Sequence, residues 1–302
     1  YTLIRGSRGW LALSAAALRS SGVEDQAPIP LGWGGPEAWL RSVDIAAVRV
    51  DDTLYFTKTV YEQQAFVARF VACTLSATPA LSCAGTLVDP DFPIEQMISD
   101  GRGLTTFGPL PGRSGEKGIA LVDLGTPLAP VRRAFIPGEV TAFDRDGDRL
   151  YALRDCPGTW DWCLDAYTVD ATWQVQRLAY GIRLVAGKTS GWPADREPAL
   201  QVEAGIAYVR TVEALSVLDV SDPARPKLLA ELPLGRRFPS DDLYVVVDHH
   251  DLFANVEAGV LVLDMSQPDQ PRTRFILPHW NFDLALDEAR IYVGPPGWVY
   301  DR

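Results

Sequence analysis

The chain has 302 residues, of which 47% are hydrophobic and 22% are charged, so it can form a core and is not a disordered or low-complexity sequence. Its 28 basic and 39 acidic side chains give a formal net charge of −11, which argues against nucleic acid as a partner because phosphates require a basic surface. No apolar run reaches about 18 residues, so the sequence predicts no transmembrane helix.

Short apolar strands separated by tight turns recur along the chain, and helical periodicity is almost absent. Each unit is an apolar strand, an acidic or glycine turn, and a second strand that carries an aromatic residue, as is typical of antiparallel sheets. The sequence therefore predicts an all-β protein. In chain order, seven such hairpins lie at 5–10, 50–55, 99–103, 143–151, 202–208, 247–253 and 286–292.

A ten-residue pattern with the form apolar–apolar–Asp–apolar–Gly/Ser–x–Pro–x–x–Pro occurs three times, and a weaker copy lies between the first two. Its aspartates are separated by steps of 47, 49 and 45 residues. A period of about 40–50 residues with four strands is that of a propeller blade. The sequence predicts one β-propeller over residues 1–302, built of four-stranded antiparallel blades. Seven blades are expected, with six as the alternative, and the last blade is expected to be incomplete at the C-terminus. The four signature aspartates are Asp123, Asp170, Asp219 and Asp264.

The copy at 217–226, which reads V-L-D-V-S-D-P-A-R-P, resembles the repeat of the LVIVD-repeat β-propellers, a family of bacterial secreted and surface proteins. The resemblance is specific over about residues 115–275. It implies the propeller fold and an extracytoplasmic location (periplasm, cell surface or secreted) in a bacterium. The family shares no single activity, so the resemblance implies none for this chain.

The four cysteines form two local pairs, Cys73 with Cys83 and Cys156 with Cys163. Neither pair has the CxxC spacing or the nearby histidine of a zinc site, and both close hairpin-sized loops. We therefore predict two disulfide bonds and an oxidising compartment. Four buried thiols in a cytosolic protein are the alternative.

Three patterns suggest chemistry but are better explained by structure. An aspartate that recurs in each blade before a proline turn is predicted to cap that turn. The run from Asp144 to Asp148 begins like a calcium loop but lacks the distal glutamate, so calcium is the minor alternative to a hairpin turn. His249 and His250 are expected at the opposite face from His279, so the three histidines are not expected to form a metal site. No cofactor and no catalytic residue is predicted.

Aromatic residues in the connections between strands suggest a binding surface, because Trp, Tyr and Arg anchor many interfaces. Packing of the tryptophans between blades is the alternative. The first strands are mostly apolar, and no nucleophile or phosphate-loop motif occurs. We expect a non-catalytic secreted or surface scaffold for a protein or glycan. A metal- or quinone-dependent hydrolase or oxidoreductase using the central channel is the alternative. The predicted binding residues are Trp160, Trp162, Trp192, Arg196 and Trp280.

Overall fold

The computed structural model describes strands from both ends of the chain, and it describes side chains mainly between residues 94 and 278. The described residues are 2–6, 9–13, 29–30, 47–51, 53–62, 65–75, 81–84, 94, 96–99, 103–109, 116–159, 161–184, 198–211, 214–234, 245–256, 258–278, 284–286, 290–293 and 298–301.

The described residues form 26 strands in seven antiparallel sheets, numbered here 1 to 7 in chain order. Sheets 2 to 6 have four strands each, and sheets 1 and 7 have three. The predicted all-β propeller fold with four-stranded antiparallel blades is confirmed, and the seven sheets agree with seven blades. The one-domain prediction for residues 1–302 stays a prediction. No helix in the described ranges could cross a membrane.

Within each sheet, neighbouring strands follow one another in sequence. Sheet 1 contains β1 (Thr2–Gly6), β2 (Gly9–Leu13) and β3 (Ile29–Pro30), and sheet 2 contains β4 (Ala47–Val50), β5 (Thr53–Glu62), β6 (Ala65–Leu75) and β7 (Leu81–Ala84). Sheet 3 contains β8 (Gln96–Ser99), β9 (Gly103–Pro109), β10 (Lys117–Asp123) and β11 (Val131–Pro137). Sheet 4 contains β12 (Ala142–Asp146), β13 (Arg149–Asp155), β14 (Trp162–Val169) and β15 (Val175–Arg183).

The remaining sheets have the same order. Sheet 5 contains β16 (Ala199–Glu203), β17 (Ile206–Arg210), β18 (Ala214–Asp219) and β19 (Lys227–Pro233). Sheet 6 contains β20 (Val245–Asp248), β21 (Asp251–Val256), β22 (Gly259–Asp264) and β23 (Arg272–Leu277). Sheet 7 contains β24 (Leu284–Leu286), β25 (Arg290–Val293) and β26 (Trp298–Asp301).

All seven predicted hairpins join the first and second strands of their sheets. In sheet 5, Glu203 pairs with Ile206 across a two-residue turn formed by Ala204 and Gly205. Both turn residues have positive φ, 51° and 76°, as the tight turns that match strand twist require. The acidic or glycine turns in the sequence therefore identified these hairpins correctly.

In sheets 3 to 6, where the burial of the strands is described, burial decreases from the middle strands to the fourth strand. The third strands β10, β18 and β22 are buried along almost their whole length, because both faces pack against neighbouring sheets. The fourth strands β11, β19 and β23 are mostly exposed. This gradient explains why the third strands contain the apolar part of the repeated signature.

The first strands of sheets 2 to 6 contact one another in chain order, as the inner strands around a propeller channel do. Each inner strand has one edge without a partner strand, and its N–H and C=O groups need other partners. Side chains supply them. The Gln201 amide donates from Nε2 to the Val247 carbonyl oxygen at 2.9 Å, and its Oε1 accepts from the Val247 N–H at 2.6 Å.

Hydroxyl groups on the second strands bind the next sheet as well. Tyr55 donates to the carbonyl oxygen of Pro127 at 3.0 Å, and Tyr151 donates to that of Val220 at 3.2 Å. Both acceptors lie just after a third strand, within the repeated signature. The aromatic residue of the hairpin pattern therefore joins neighbouring sheets in these two places.

The signature aspartates cap the turn that follows the third strand, as predicted. In each case Oδ1 accepts from the backbone N–H two residues later, at 2.8 to 3.0 Å. Hydrogen bonds to the carboxylate lower the pKa of all four side chains below the usual value. The main donor is a hydroxyl, of Thr172 or Ser221, in two cases and the backbone N–H in the other two. The residues are Asp123, Asp170, Asp219 and Asp264.

Candidate binding surface

A disulfide joins Cys156 to Cys163 across the connection between β13 and β14, which confirms this predicted bond. The closed loop is short, because the cysteines are seven residues apart. Cys73 and Cys83 lie directly opposite each other in β6 and β7. Their side chains lie outside the described residues, so this second bond stays a prediction.

The predicted binding tryptophans are only partly described. Trp162 lies in β14 and is 8% exposed, so its ring is buried and not presented to a partner. The other four predicted binding residues lie outside the described residues, and their role stays a prediction. They are Trp160, Trp192, Arg196 and Trp280.

A second tryptophan packs between sheets. Trp173, in the turn before β15, lies against Gly103 of sheet 3, where a Cβ atom would clash with the ring atom Cη2. Of the two tryptophans whose side chains are described, Trp162 is therefore buried and Trp173 packs between sheets.

A buried carboxylate, Asp165, organises the outer part of sheet 4. Its Oδ2 accepts from Arg154 Nε at 2.9 Å, and its Oδ1 accepts from the Gly181 N–H at 2.6 Å. The hairpin register places Asp165 where sheet 5 has Ser216 and sheet 6 has Leu261. Sheets 5 and 6 therefore form the same strand pairing without a charged residue at this position, and the charge is particular to sheet 4 among these three sheets.

Above this carboxylate, the ring of Tyr180 is in contact with two guanidinium groups. The Cζ atoms of Arg154 and Arg177 lie 4.3 and 4.6 Å from the ring centroid. Tyr180 is nevertheless 56% exposed, the highest value among the large hydrophobic side chains described. We call Arg154, Asp165, Arg177, Tyr180 and Gly181 the Tyr180 cluster.

A local irregularity of β15 places the Tyr180 ring. The pairing of β14 with β15 shifts at two points, whereas the equivalent pairings in sheets 3, 5 and 6 each shift once. Gly181 has φ of 65°, and a Cβ atom there would lie 3.1 Å from Arg154 Nη2, so glycine fits both the backbone and the space. Such bulges re-aim side chains, and this one positions Tyr180 beside Arg154.

The electrostatics of the cluster extend to Tyr167, one strand inward. Burial raises the pKa of the Tyr167 hydroxyl, and the negative charge of Asp165 raises it further. Arg183 forms an ion pair with Asp161, which lies within the disulfide loop. The outer part of sheet 4 is therefore a charged surface with fixed partners, beside an otherwise apolar sheet-to-sheet core.

The segment that resembles the start of a calcium loop, Asp144 to Asp148, lies at the end of β12 and in the turn that follows it. Asp144 Oδ2 accepts from the Val202 N–H at 2.6 Å, and Asp146 Oδ2 accepts from the Gly205 N–H at 2.8 Å. Burial raises the pKa of Asp144 to about 6. Both carboxylates thus bind the main chain of the next sheet. In the part of the chain that the structure describes, no group of three or more His, Cys, Asp or Glu could hold a metal ion.

The histidines behave as turn residues where they are described. His249 has φ of 59°, and its exposed ring places Nδ1 2.6 Å from Asp248 Oδ1. His250 completes the same turn, and His279 lies outside the described residues.

No known family model and no curated protein sequence matches the chain. Solved structures do. A "putative 6-phosphogluconolactonase" from Bacteroides uniformis is 12% identical, with 85% of this chain and 80% of that chain covered and a TM-score of 0.56. The N-terminal domain of Nup159 is 12% identical, with 96% and 82% covered and a TM-score of 0.54. At such identity the likeness shows the β-propeller fold alone.

Proposed function

We propose that the protein is a non-catalytic, extracytoplasmic β-propeller scaffold that binds a protein or glycan partner through the Tyr180 cluster. The observation that carries the proposal is an exposed tyrosine ring in contact with two arginines. Tyr and Arg are the residue types that dominate binding energy at interfaces.

Preorganisation supports this site. Asp165 fixes Arg154, the Gly181 bulge fixes Tyr180, and the Cys156–Cys163 disulfide closes the neighbouring loop. A partner that binds a side chain already held in position loses less conformational freedom than one that must order it. A carboxylate at this position is not a requirement of the blade, because sheets 5 and 6 place uncharged residues where sheet 4 has Asp165.

The channel residues favour a scaffold over the channel enzyme. Inner-strand side chains such as Asp144 and Gln201 are used in bonds to the next sheet. The disulfide and the resemblance to LVIVD-repeat propellers support a location outside the bacterial cytoplasm.

The test compares Tyr180→Ala with Phe275→Ala, a matched control. Phe275 is 43% exposed on β23, so its loss removes a similar apolar surface from another sheet. Envelope proteins and glycans of the source organism are captured on each variant. We expect Tyr180→Ala to weaken capture by about fivefold or more, and Phe275→Ala to leave it unchanged. Equal loss in both variants, or none in either, would contradict the proposal.

A further inference from the structure

We propose that the Tyr180 cluster receives a carboxylate from an acidic segment of a protein partner. Arg177 forms the ion pair, and the Tyr180 ring is the apolar contact beside it. This inference rests on the proposed function and specifies the chemistry of the partner.

The charge balance around Tyr180 identifies Arg177 as the group that awaits an anion. The cluster contains two arginines, Arg154 and Arg177, and one aspartate, Asp165. Arg154 pairs with Asp165, and the neighbouring Arg183 pairs with Asp161. Arg177 is exposed, and no carboxylate among the described residues forms an ion pair with it. One positive charge therefore remains at the surface of a chain whose net charge is −11.

Two arginines on the fourth strands of other sheets have an aspartate partner within their own sheet. In sheet 3, Arg133 donates to Asp123 Oδ2 from Nε at 3.0 Å and from Nη2 at 2.8 Å. In sheet 6, Arg274 Nη1 lies 3.2 Å from Asp251 Oδ1. Arg177 instead stacks on Tyr180, so its role differs from that of the other fourth-strand arginines that bind an aspartate.

The arrangement fits a peptide carboxylate. A guanidinium offers parallel N–H donors that match the two oxygens of a carboxylate, and stacking on an aromatic ring restricts its motion. Leu178, next to Arg177 on β15, is exposed as well. A segment that alternates Asp or Glu with apolar residues would contact Arg177 with its acid, and Leu178 and Tyr180 with its apolar side chains.

The experiment uses poly-L-glutamate, a defined multivalent probe, immobilised on a biosensor at 150 mM salt. At this ionic strength the Debye length is about 8 Å, so the net charge of the protein is largely screened. We expect Arg177→Gln to lower retention by about fivefold or more. The control Arg225→Gln, which removes an exposed arginine from sheet 5, is expected to have no effect.

Three results would overturn the inference. The first is an equal loss in Arg177→Gln and Arg225→Gln, which would show non-specific attraction. The second is retention of alginate, a polyuronate, in an Arg177-dependent manner without retention of poly-L-glutamate, which would assign the carboxylate to a glycan. Partner capture that depends on Tyr180 but not on Arg177 would also reject this inference while leaving the proposed function intact. Capture independent of Tyr180 would reject the proposed function.

Discussion

Sheets 4 and 5 are neighbours built from the same repeat, yet they complete the connection between their second and third strands differently. Sheet 5 uses a short turn, in which Thr211 N–H donates to the Ala214 carbonyl oxygen at 2.9 Å and Thr211 Oγ1 accepts from the Ala214 N–H at 3.2 Å. Sheet 4 uses a longer loop closed by the Cys156–Cys163 disulfide.

The difference extends to the third strands and their pairing with the fourth. Sheet 5 has one register shift and an uncharged Ser216 where sheet 4 has two shifts and Asp165. Because the two sheets repeat the same unit, features that they share can be assigned to the fold. Features found in only one of them need another explanation. The four predictions below test this division.

The largest effect is expected from Asp165→Ala. Removing the carboxylate leaves the half-buried Arg154 guanidinium and the Gly181 N–H without their acceptor, which destabilises the protein by about 3 kcal/mol. Chemical denaturation measures the change in the free energy of unfolding. Ser216→Ala in sheet 5 is the matched control and is expected to cost far less. Equal costs would remove the distinction between the sheets.

Replacing both Cys156 and Cys163 with serine is expected to lower the free energy of unfolding by about 2 kcal/mol, because the unfolded chain regains the freedom of the short loop. Thr211→Ala, which alters the corresponding turn in sheet 5, is expected to cost about 1 kcal/mol. Thermal melts of both variants check the order. A larger loss in Thr211→Ala would contradict it.

Asp144→Asn tests the inner strands, where sheet 5 has the uncharged Gln201 at the equivalent position. Burial raises the pKa of Asp144 from 3.8 to about 6, so the folded state holds this proton more tightly than the unfolded state. The stability that follows is present below about pH 4 and is lost as pH rises through 6.

Asparagine keeps an acceptor for the Val202 N–H and removes the charge. We expect Asp144→Asn to be more stable than the native protein by about 1 kcal/mol at pH 7, with the difference shrinking toward pH 4. Melting temperatures of both proteins from pH 4 to pH 7 measure this. A difference that grows as pH falls would reverse the assignment. The negative charges of Asp146 and Glu203 also raise the pKa of Asp144, so the substitution removes their repulsion as well.

The smallest effect on stability is expected from Tyr180→Ala, at about 0.5 kcal/mol, because the ring is exposed and contributes only its contacts with the two arginines. Tyr151→Phe is the contrast within the same sheet. It removes a buried hydroxyl that donates to the Val220 carbonyl oxygen, and is expected to cost about 1 kcal/mol. A substantial loss of stability in Tyr180→Ala would identify Tyr180 as a structural residue.

The sequence predicts what repeats in the structure. Hairpin turns such as 203–206 and turn caps such as Asp219 recur at one period, and local chemistry suffices to recognise them. The Cys156–Cys163 bond follows from loop length for the same reason.

The Tyr180 cluster could not be derived in this way. Arg154 and Asp165 are eleven residues apart and meet only because β13 and β14 pair, and Tyr180 joins them only after a register shift. Two local signals were nevertheless present. Asp165 places a charge inside the apolar run of β14, and Gly181 interrupts the apolar pattern of β15, which marks a bulge.

The bonds between neighbouring sheets described above have a direction. Asp144, Tyr151 and Gln201 each belong to the earlier sheet, and each binds the main chain of the later one. A nascent chain leaves the ribosome in this same order. Each completed sheet therefore presents its polar side chains before the next inner strand is synthesised. The side chains that bind an inner strand are thus synthesised before that strand. Sheets can therefore be added one after another from the N-terminal side before the first and last sheets meet.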